Sequence, residues 1–303
     1  MSSVSESGAL YVGVDGGASK TVVRVEDASG RSLGEAKGAG ASIRLSVSDA
    51  WAAIMDAIAR SGLSFDDGGR TVFCGIGLAG TEIKGAYDRF VSAPHPFARL
   101  VVKSDAYVSC LGAHGGEDGA IVAVGTGMVG YRIEREDESR AGGWGFPHSD
   151  EGGGAWLGME AVRATLCWLD GRESPSSLTA SVLERFDGDR DRLVVWANAA
   201  RATDFATLAP LVVEHAQQGA PLAAKLLRRA AGHADAIASA LGAGREASGV
   251  RFSLLGSVAP YLEPLLGDFW RRQLTPPKGD AASGALRMIR RAVRGGVGSS
   301  AVT

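Results

Sequence analysis

The chain has 303 residues, a length that allows two domains of ordinary size. Hydrophobic residues make up 45% of it and charged residues 22%, a balance that is typical of a globular protein and excludes a disordered one. The formal net charge of −2 argues against a nucleic-acid-binding protein, because such a protein usually carries a strongly basic face.

Cysteine and hydropathy patterns exclude further classes. Cys74, Cys110 and Cys167 lie far apart in the sequence, so we expect neither a disulfide framework nor a zinc site within the chain. No apolar run reaches the roughly 18 residues of a membrane span, and the N-terminal stretch lacks the basic region of a signal peptide. We therefore expect a cytoplasmic protein without a membrane partner.

The first part of the chain predicts a mixed α/β domain, which we place at residues 1–115. Three strands come first, and helices then alternate with strands. The predicted strands are Leu10–Asp15, Thr21–Glu26, Ser32–Lys37, Thr71–Leu78 and Arg99–Lys103, and the predicted helices are Ser46–Arg60, Ile83–Val91 and Ala106–Ala113.

The second part, placed at residues 116–294, again opens with strands and then becomes mostly helical. The predicted strands are Ala120–Val124, Met128–Glu134 and Val250–Leu255. The predicted helices are Ala155–Asp170, Ser176–Phe186, Arg190–Arg201, Thr203–Gln218, Ala220–Leu241, Tyr261–Gln273 and Ala281–Arg294. Whether the last helix packs back on the first domain is left open, and residues 295–303 are expected to form a flexible tail.

The turn after the first strand has the composition of a phosphate-binding site. Asp15 ends the strand, Gly16 and Gly17 turn the chain, and Ser19 and Lys20 follow. Backbone amides, a hydroxyl and an ammonium suit phosphate oxygens, and a carboxylate suits the hydration shell of a magnesium ion. The alternative interpretation is an ordinary β-hairpin.

Two later turns extend the pattern. Gly125, Thr126 and Gly127 join two strands as the first turn does, and two such turns facing each other across a cleft could hold the β- and γ-phosphates of a nucleotide. Neither turn has the spacing of a P-loop. Gly256 and Ser257 end the last strand, where they fit either a ribose- or base-binding turn or a plain strand end.

Carboxylates provide the candidate chemistry. Asp105 follows an apolar strand and precedes a helix, so it is either a general base at a strand's carboxyl end or a helix N-cap. Asp150 and Glu151 lie in a glycine-rich loop with Trp144. That loop is either a solvated connection or a pocket wall whose carboxylates bind sugar hydroxyls while the indole contacts the ring.

The order and spacing of six short motifs resemble one ATPase family across about residues 10–293. The motifs are Gly13–Gly17, Gly77–Gly80, Ser104–Ala106, Val124–Gly127, Ser149–Gly152 and Leu255–Ser257. The family includes N-acetylglucosamine kinases, bacterial glucosamine kinases and BadF/BadG-type activator ATPases. The resemblance implies two actin-like, ribonuclease H-like α/β domains around a cleft, as in sugar kinases, Hsp70 and actin, often in a homodimer. It also implies ATP with Mg²⁺ and phosphoryl transfer to O6 of an amino sugar, most closely glucosamine.

The motif match assigns roles residue by residue. Asp15 is expected near the magnesium ion through water, Asp105 is expected to be the general base and a sugar ligand, and Asp150 is a second sugar ligand. The first phosphate loop would consist of Gly16, Gly17, Ser19 and Lys20, the second of Gly125, Thr126 and Gly127, with Gly256 and Ser257 at the adenosine.

Three departures from the family pattern leave the identity of the sugar open. Ser42 stands where asparagine is common, Met128 replaces a frequent serine, and Ala18-Ser19 replaces a Gly-Thr pair. The alternatives are therefore an N-acetylglucosamine kinase or an activator ATPase with an iron–sulfur cluster. A sugar-sensing regulator is a third, but it usually adds an N-terminal helix-turn-helix, for which the stretch before the first strand leaves no room.

Overall fold

A computed structural model describes residues 8–44, 46–65, 70–135, 137–242 and 250–295. Apart from Gly295, the predicted flexible tail lies outside the described residues. The chain divides into two compact units. The first unit contains Met1–Asp118 and Pro276–Thr303, and the second contains Gly119–Thr275.

The first unit is built on a five-stranded sheet of order β3-β2-β1-β4-β5. Its elements, in chain order, are β1 (Leu10–Gly16), β2 (Lys20–Asp27), β3 (Ser32–Ala39), α1 (Val47–Arg60), β4 (Val72–Leu78), α2 (Lys84–Val91), β5 (Arg99–Ser104) and α3 (Asp105–Ala113). The first three strands pair antiparallel, whereas β1, β4 and β5 run parallel. The central strands β1 and β4 are almost wholly buried, which explains their continuous apolar sequences.

Within the described residues, the second unit repeats four strands of this sheet, in the order β8-β7-β6-β9. Its elements are β6 (Gly119–Val124), β7 (Met128–Glu134), β8 (Asp137–Gly142), α4 (Gly154–Leu169), α5 (Ser177–Glu184), α6 (Arg190–Ala199), α7 (Ala202–Ala206), α8 (Ala209–Gln217), α9 (Pro221–Ala240), β9 (Arg251–Leu255), α10 (Ala259–Leu262) and α11 (Asp268–Gln273). β6 takes the place of β1, since it pairs antiparallel with β7 and parallel with β9. The two units therefore resemble each other in their sheets as well as in their glycine turns.

In the second unit, one strand escaped prediction and two predicted helices are wrong. Strand β8 was not predicted because its sequence is polar, and the strand lies at the sheet edge with backbone pairing to β7. The predicted helix Thr203–Gln218 is two helices, and Pro210 lies in the first turn of the second one, where proline is favoured. The predicted helix Tyr261–Gln273 is interrupted by a 3₁₀ turn at Glu263–Leu265 and by Gly267.

The last described helix, α12 (Ala281–Gly295), belongs to the first unit. It packs directly on the sheet backbone, because a Cβ atom on Gly13 or Gly75 would overlap a carbonyl oxygen of this helix. Arg24 of β2 donates two hydrogen bonds, of 3.0 and 2.9 Å, to the carboxylate of Asp280 just before the helix. The first unit is thus assembled from two separate parts of the sequence.

The cysteines and helices add two findings about the described residues. Cys74 is buried in β4 and Cys110 in α3, while Cys167 is half-buried in α4. Burial raises the pKa of the Cys74 thiol, so this side chain stays protonated. In the parts of the chain that the structure covers, no helix has the length and apolar character needed to cross a bilayer.

Candidate active site

Two acids lie at one edge of the first sheet. Because β1, β4 and β5 are parallel, their carboxyl ends meet at the same edge, where open α/β sheets bind ligands. Asp15 stands near the end of β1, and Asp105 directly follows β5. The intervening β4 separates the two strands by about 10 Å. The sheet therefore brings together two acids that are distant in sequence.

The electrostatic surroundings of Asp15 are unusual. Burial raises its pKa from 3.8 to about 6, and the negative charges of Asp105 and Asp280 act in the same direction. The nearby ammonium of Lys20 opposes this shift. Any additional positive charge at this edge would favour the ionised carboxylate.

Asp105 is not the N-cap of helix α3. That position belongs to Ser104, whose hydroxyl accepts a hydrogen bond of 3.1 Å from the amide of Tyr107. The Oδ1 atom of Asp105 accepts from the amide of Ala106 at 2.8 Å. The capping interpretation of Asp105 is therefore wrong, and its half-buried carboxylate lies close enough to Asp15 to raise that residue's pKa.

The first turn, Gly16–Lys20, exposes several hydrogen-bond donors. The amide of Gly17 closes the turn by donating to the carbonyl of Lys20 at 3.0 Å. Among the described residues, the amides of Ala18 and Ser19 have no acceptor. The side chains of Ser19 and Lys20 are exposed, whereas Gly16 is buried at the end of β1. The turn thus offers two amides, a hydroxyl and an ammonium beside Asp15.

Ser42 lies beside the first turn. The amide of Ala41 donates to the carbonyl of Gly17 at 3.0 Å, and Ser42 forms a parallel bridge with Ala79. The amide of Ala79 donates to the carbonyl of Gly16 at 2.9 Å. Backbone hydrogen bonds therefore hold Ser42 in the same part of the first unit as Asp15 and the first turn.

The second turn rests on the N-terminus of helix α4. The amides of Gly154 and Ala155 donate to the carbonyls of Gly125 and Thr126, each at 2.8 Å. Within the described ranges, the amides of Thr126 and Gly127 donate to no protein acceptor. Free amides next to a helix N-terminus favour an anionic ligand.

A cavity of about 640 Å³ adjoins this turn inside the second unit. A Cβ atom on Gly125 would meet nothing within 4 Å, so this glycine opens on the cavity without a packing requirement. Ser257 also lines the cavity, and its predicted place at the adenosine stays a prediction. Gly256 does not line it, and its φ of +102° shows that the turn itself requires glycine.

The opposite wall of the cavity consists of residues that sequence reasoning missed. They are Thr203, Ala206, Thr207, Ala209, Pro210, Val213, Glu214, Gln217, Val258 and Tyr261. The region containing most of them was predicted as one helix, Thr203–Gln218, without a role in the site. The signal that could have revealed them is the break before Pro210, followed by Val213, Glu214 and Gln217 at helical spacing.

The glycine-rich loop after β8 places its polar residues differently. The carboxylate of Asp150 lies against Gly127, because a Cβ atom on that glycine would overlap it. Trp144 is 67% exposed, with the guanidinium of Arg140 4.8 Å from its ring centroid, and Glu151 is also exposed. The structure thus brings Asp150 to the second turn and leaves the other two on the surface of the second unit.

Met128, the residue after the second turn, is buried in the core of the second unit. Its side chain cannot act as the hydroxyl that a serine would supply there. The described residues include no group of three or more His, Cys, Asp or Glu side chains that could hold a metal ion. One carboxylate such as Asp15 still fits Mg²⁺, which usually keeps several waters and binds phosphate oxygens.

The sequence pattern that defines the BadF/BadG/BcrA/BcrD ATPase family matches residues 12–266. The chain belongs to this family. This member of the ATPase family is 36% identical to the glucosamine kinase of Vibrio cholerae over 91% of its own length and 94% of that protein. It is 29% identical to the N-acetylmuramic acid/N-acetylglucosamine kinase of Clostridium acetobutylicum, over 57% of this chain and 58% of the relative.

Solved structures share the fold of this family member. A candidate N-acetylglucosamine kinase from Chromobacterium violaceum superposes with a TM-score of 0.86 at 37% identity, over 93% of this chain and 99% of that one. A glucokinase from Streptomyces griseus, in complex with glucose and AMPPNP, superposes over 93% of this chain and 100% of its own, with a TM-score of 0.55 at 20% identity. The predicted actin-like sugar kinase fold and the predicted family resemblance are both confirmed.

Proposed function

We propose that this protein transfers the γ-phosphoryl group of ATP to O6 of glucosamine. The chain is an ATP-dependent sugar kinase, since it belongs to an ATPase family and matches an amino-sugar kinase over nine-tenths of its length. The choice of glucosamine follows the Vibrio cholerae relative, which matches 91% of the chain, against 57% for the Clostridium acetobutylicum relative.

The observation that carries the proposal is the pair of acids at one edge of the first sheet. Asp105 acts as the general base and takes the proton of the O6 hydroxyl as this oxygen bonds to the γ-phosphorus. The bond between that phosphorus and the β–γ bridging oxygen breaks, and ADP leaves. Phosphoryl transfer depends mostly on positioning and charge neutralisation, so one base beside a phosphate site is sufficient chemistry.

Each of the two turns is proposed as a phosphate-binding element of its own unit. The amides of Ala18 and Ser19, with the ammonium of Lys20, bind phosphate oxygens from the first unit, and the amides of Thr126 and Gly127 bind them from the second. The cavity next to Gly125 takes the adenosine. Asp15 would hold Mg²⁺ through its water shell, and the ion would supply charge neutralisation at the phosphates.

The sugar contacts are proposed from both units. Ser42 and Asp105 bind sugar hydroxyls from the first unit, and Asp150 does so from its place beside the second turn. Glu151 and Trp144 are exposed. Both are proposed as further contacts to the bound sugar.

N-acetylglucosamine is the second candidate substrate. It is favoured by the similarity of the chain to the Clostridium acetobutylicum and Chromobacterium violaceum proteins. The two substrates differ at C2, where an ammonium favours a carboxylate neighbour and an acetamide favours an apolar space.

An assay of ADP release over a sugar panel tests the proposal. The panel contains glucosamine, N-acetylglucosamine, glucose, mannosamine and a reaction without sugar. We expect the highest kcat/KM with glucosamine and little release without sugar. A preference for N-acetylglucosamine would support the second candidate. Equal ADP release with and without sugar would overturn the kinase proposal, and iron in the purified protein would then favour an activator-type ATPase.

A further inference from the structure

Helix α8 forms one wall of the cavity with a single face. Pro210, Val213, Glu214 and Gln217 all line the cavity and recur every three or four residues. The helix begins near the second turn, since a Cβ atom on Gly154 would lie 3.6 Å from the Cβ of Ala209. The wall therefore runs from the phosphate-binding end of the cavity outwards.

The rise of the helix orders its side chains along the cavity. At 1.5 Å per residue, Glu214 lies about 7 Å and Gln217 about 12 Å further along the axis than Ala209. A nucleotide laid along this wall would present its phosphates, ribose and base in the same order. Glu214 would then meet the ribose, and Gln217 the base.

Glu214 carries a charge that phosphate would repel. It is the one charged side chain among the residues that line this cavity, all of which the structure describes. Its Oε1 atom accepts a hydrogen bond of 3.3 Å from Nε2 of Gln218, while Oε2 accepts none from the described residues. A carboxylate only accepts hydrogen bonds, so it suits a ligand group with two neighbouring hydroxyl donors.

The opposite face of α8 fixes this orientation. The ring nitrogens of His215 lie 3.0 Å from the hydroxyls of Ser177 and Ser181 on α5. His215 is buried, so these contacts resist rotation of the helix about its axis. The neighbouring Glu214 therefore remains directed to the cavity.

We propose that Glu214 binds the 2′- and 3′-hydroxyls of the nucleotide and makes this protein select ribonucleotides over 2′-deoxyribonucleotides. This inference rests on the proposed function in one respect, namely that the cavity holds the nucleoside of ATP. Gln217, one turn further along α8, and Tyr261 on α10 face the base instead.

Calorimetric titration of the full chain with ADP and 2′-deoxyADP tests the proposal without a sugar substrate. The wild type should bind ADP about tenfold more tightly, which is the usual worth of a hydrogen bond to a charged group. Glu214→Ala should bring the two affinities within about twofold by weakening ADP more than 2′-deoxyADP, which keeps only the 3′-hydroxyl. Glu214→Gln, which keeps one acceptor oxygen, should fall between these values.

Two matched variants separate this role from a structural one. Glu184→Ala removes an exposed glutamate of the same unit outside the cavity, so it should change neither affinity. Gln217→Ala should weaken ADP and 2′-deoxyADP equally. If the ribose preference survives Glu214→Ala, or if Gln217→Ala abolishes it, the proposal is overturned.

Failure of the proposed function has a different signature. A wild type that binds ADP with a ribose preference but phosphorylates no sugar in the panel would overturn the kinase proposal and support the role of Glu214. A wild type that binds ADP and 2′-deoxyADP equally but phosphorylates glucosamine would do the reverse.

Discussion

The two glycine turns occupy equivalent positions in two similar sheets but differ in what surrounds them. The first turn, Gly16–Lys20, carries an acid at the end of its strand and an exposed ammonium. The second turn, Gly125–Gly127, has no charged residue of its own, and its carbonyls accept from the first amides of α4. In the first unit the turn is therefore accompanied by charged side chains. In the second unit the polarity comes from the backbone and from the N-terminus of a helix.

This difference indicates a division of tasks. A turn with a raised-pKa carboxylate responds to cations and protons, whereas a neutral turn on a helix N-terminus responds to anions at any ordinary pH. We expect changes in the first unit to affect chemistry and pH dependence. Changes in the second should affect nucleotide affinity.

The largest expected effect concerns Asp105, the second acid at the edge of the first sheet. Asp105→Asn should lower kcat by about 10²–10⁴-fold, because the O6 hydroxyl loses its base. ADP affinity, measured by calorimetry, should stay within about twofold. Asp88→Asn, which changes an exposed aspartate of the same unit, is the matched control. Near-normal turnover by the Asp105 variant would show that another group is the base.

The second turn should show the opposite pattern. Gly125→Val places a branched side chain in open space beside the cavity, so the protein should fold normally. ADP affinity should fall about a hundredfold, because the side chain excludes phosphate from two amides. Gly232→Ala, which also meets nothing within 4 Å, is the control. An unchanged Kd for ADP would show that this turn does not bind the nucleotide.

Protonation of Asp15, beside the first turn, should make the stability of the protein depend on pH. Its pKa is about 6 in the folded protein and 3.8 in the unfolded chain, so the folded state binds the proton more tightly. The stabilisation from this proton is complete below pH 3.8 and is lost as the pH rises through about 6. The loss amounts to about 3 kcal/mol at most.

Asp15→Asn should therefore raise the free energy of unfolding at pH 7 by about 1–3 kcal/mol and flatten its dependence between pH 4 and pH 6. Urea denaturation of the ligand-free protein at several pH values measures both effects. A stability curve that keeps the wild-type slope would mean that Asp15 is ionised throughout.

The smallest effect is expected from a change at Ser42, which lies beside the first turn. Ser42→Asn supplies a longer side chain with a donor and an acceptor, so the KM for glucosamine should fall about two- to tenfold with little change in kcat. Initial rates at saturating ATP measure this change. An increase in KM would indicate that the shorter serine is needed for the substrate to fit.

Features of local sequence were predictable, and features of assembly were not. The buried strands β1 and β4 follow from continuous apolar runs, and both glycine turns follow from composition. That Asp15 and Asp105 share an edge follows from the rule for carboxyl ends of parallel strands. The polar edge strand β8 escaped prediction because its backbone pairing with β7, rather than its side chains, defines it.

The cavity wall was also beyond sequence reasoning. Glu214 and Gln217 are exposed polar residues on a helix that looks like ordinary scaffold, and only its packing beside Gly154 and Ser257 makes them line a cavity. The role of Ser104 as N-cap, which frees Asp105 from that task, depends on backbone geometry that the sequence leaves undecided between the two residues.

The helix that packs over Gly13 and Gly75 has a consequence for synthesis. Residues Gly119–Thr275 form a compact unit that can fold on the ribosome before α12 emerges. The sheet that carries Asp15 and Asp105 gains its covering helix only when α12 has been translated. A nascent chain would therefore form the cavity of the second unit first and complete the sheet that carries the two acids last.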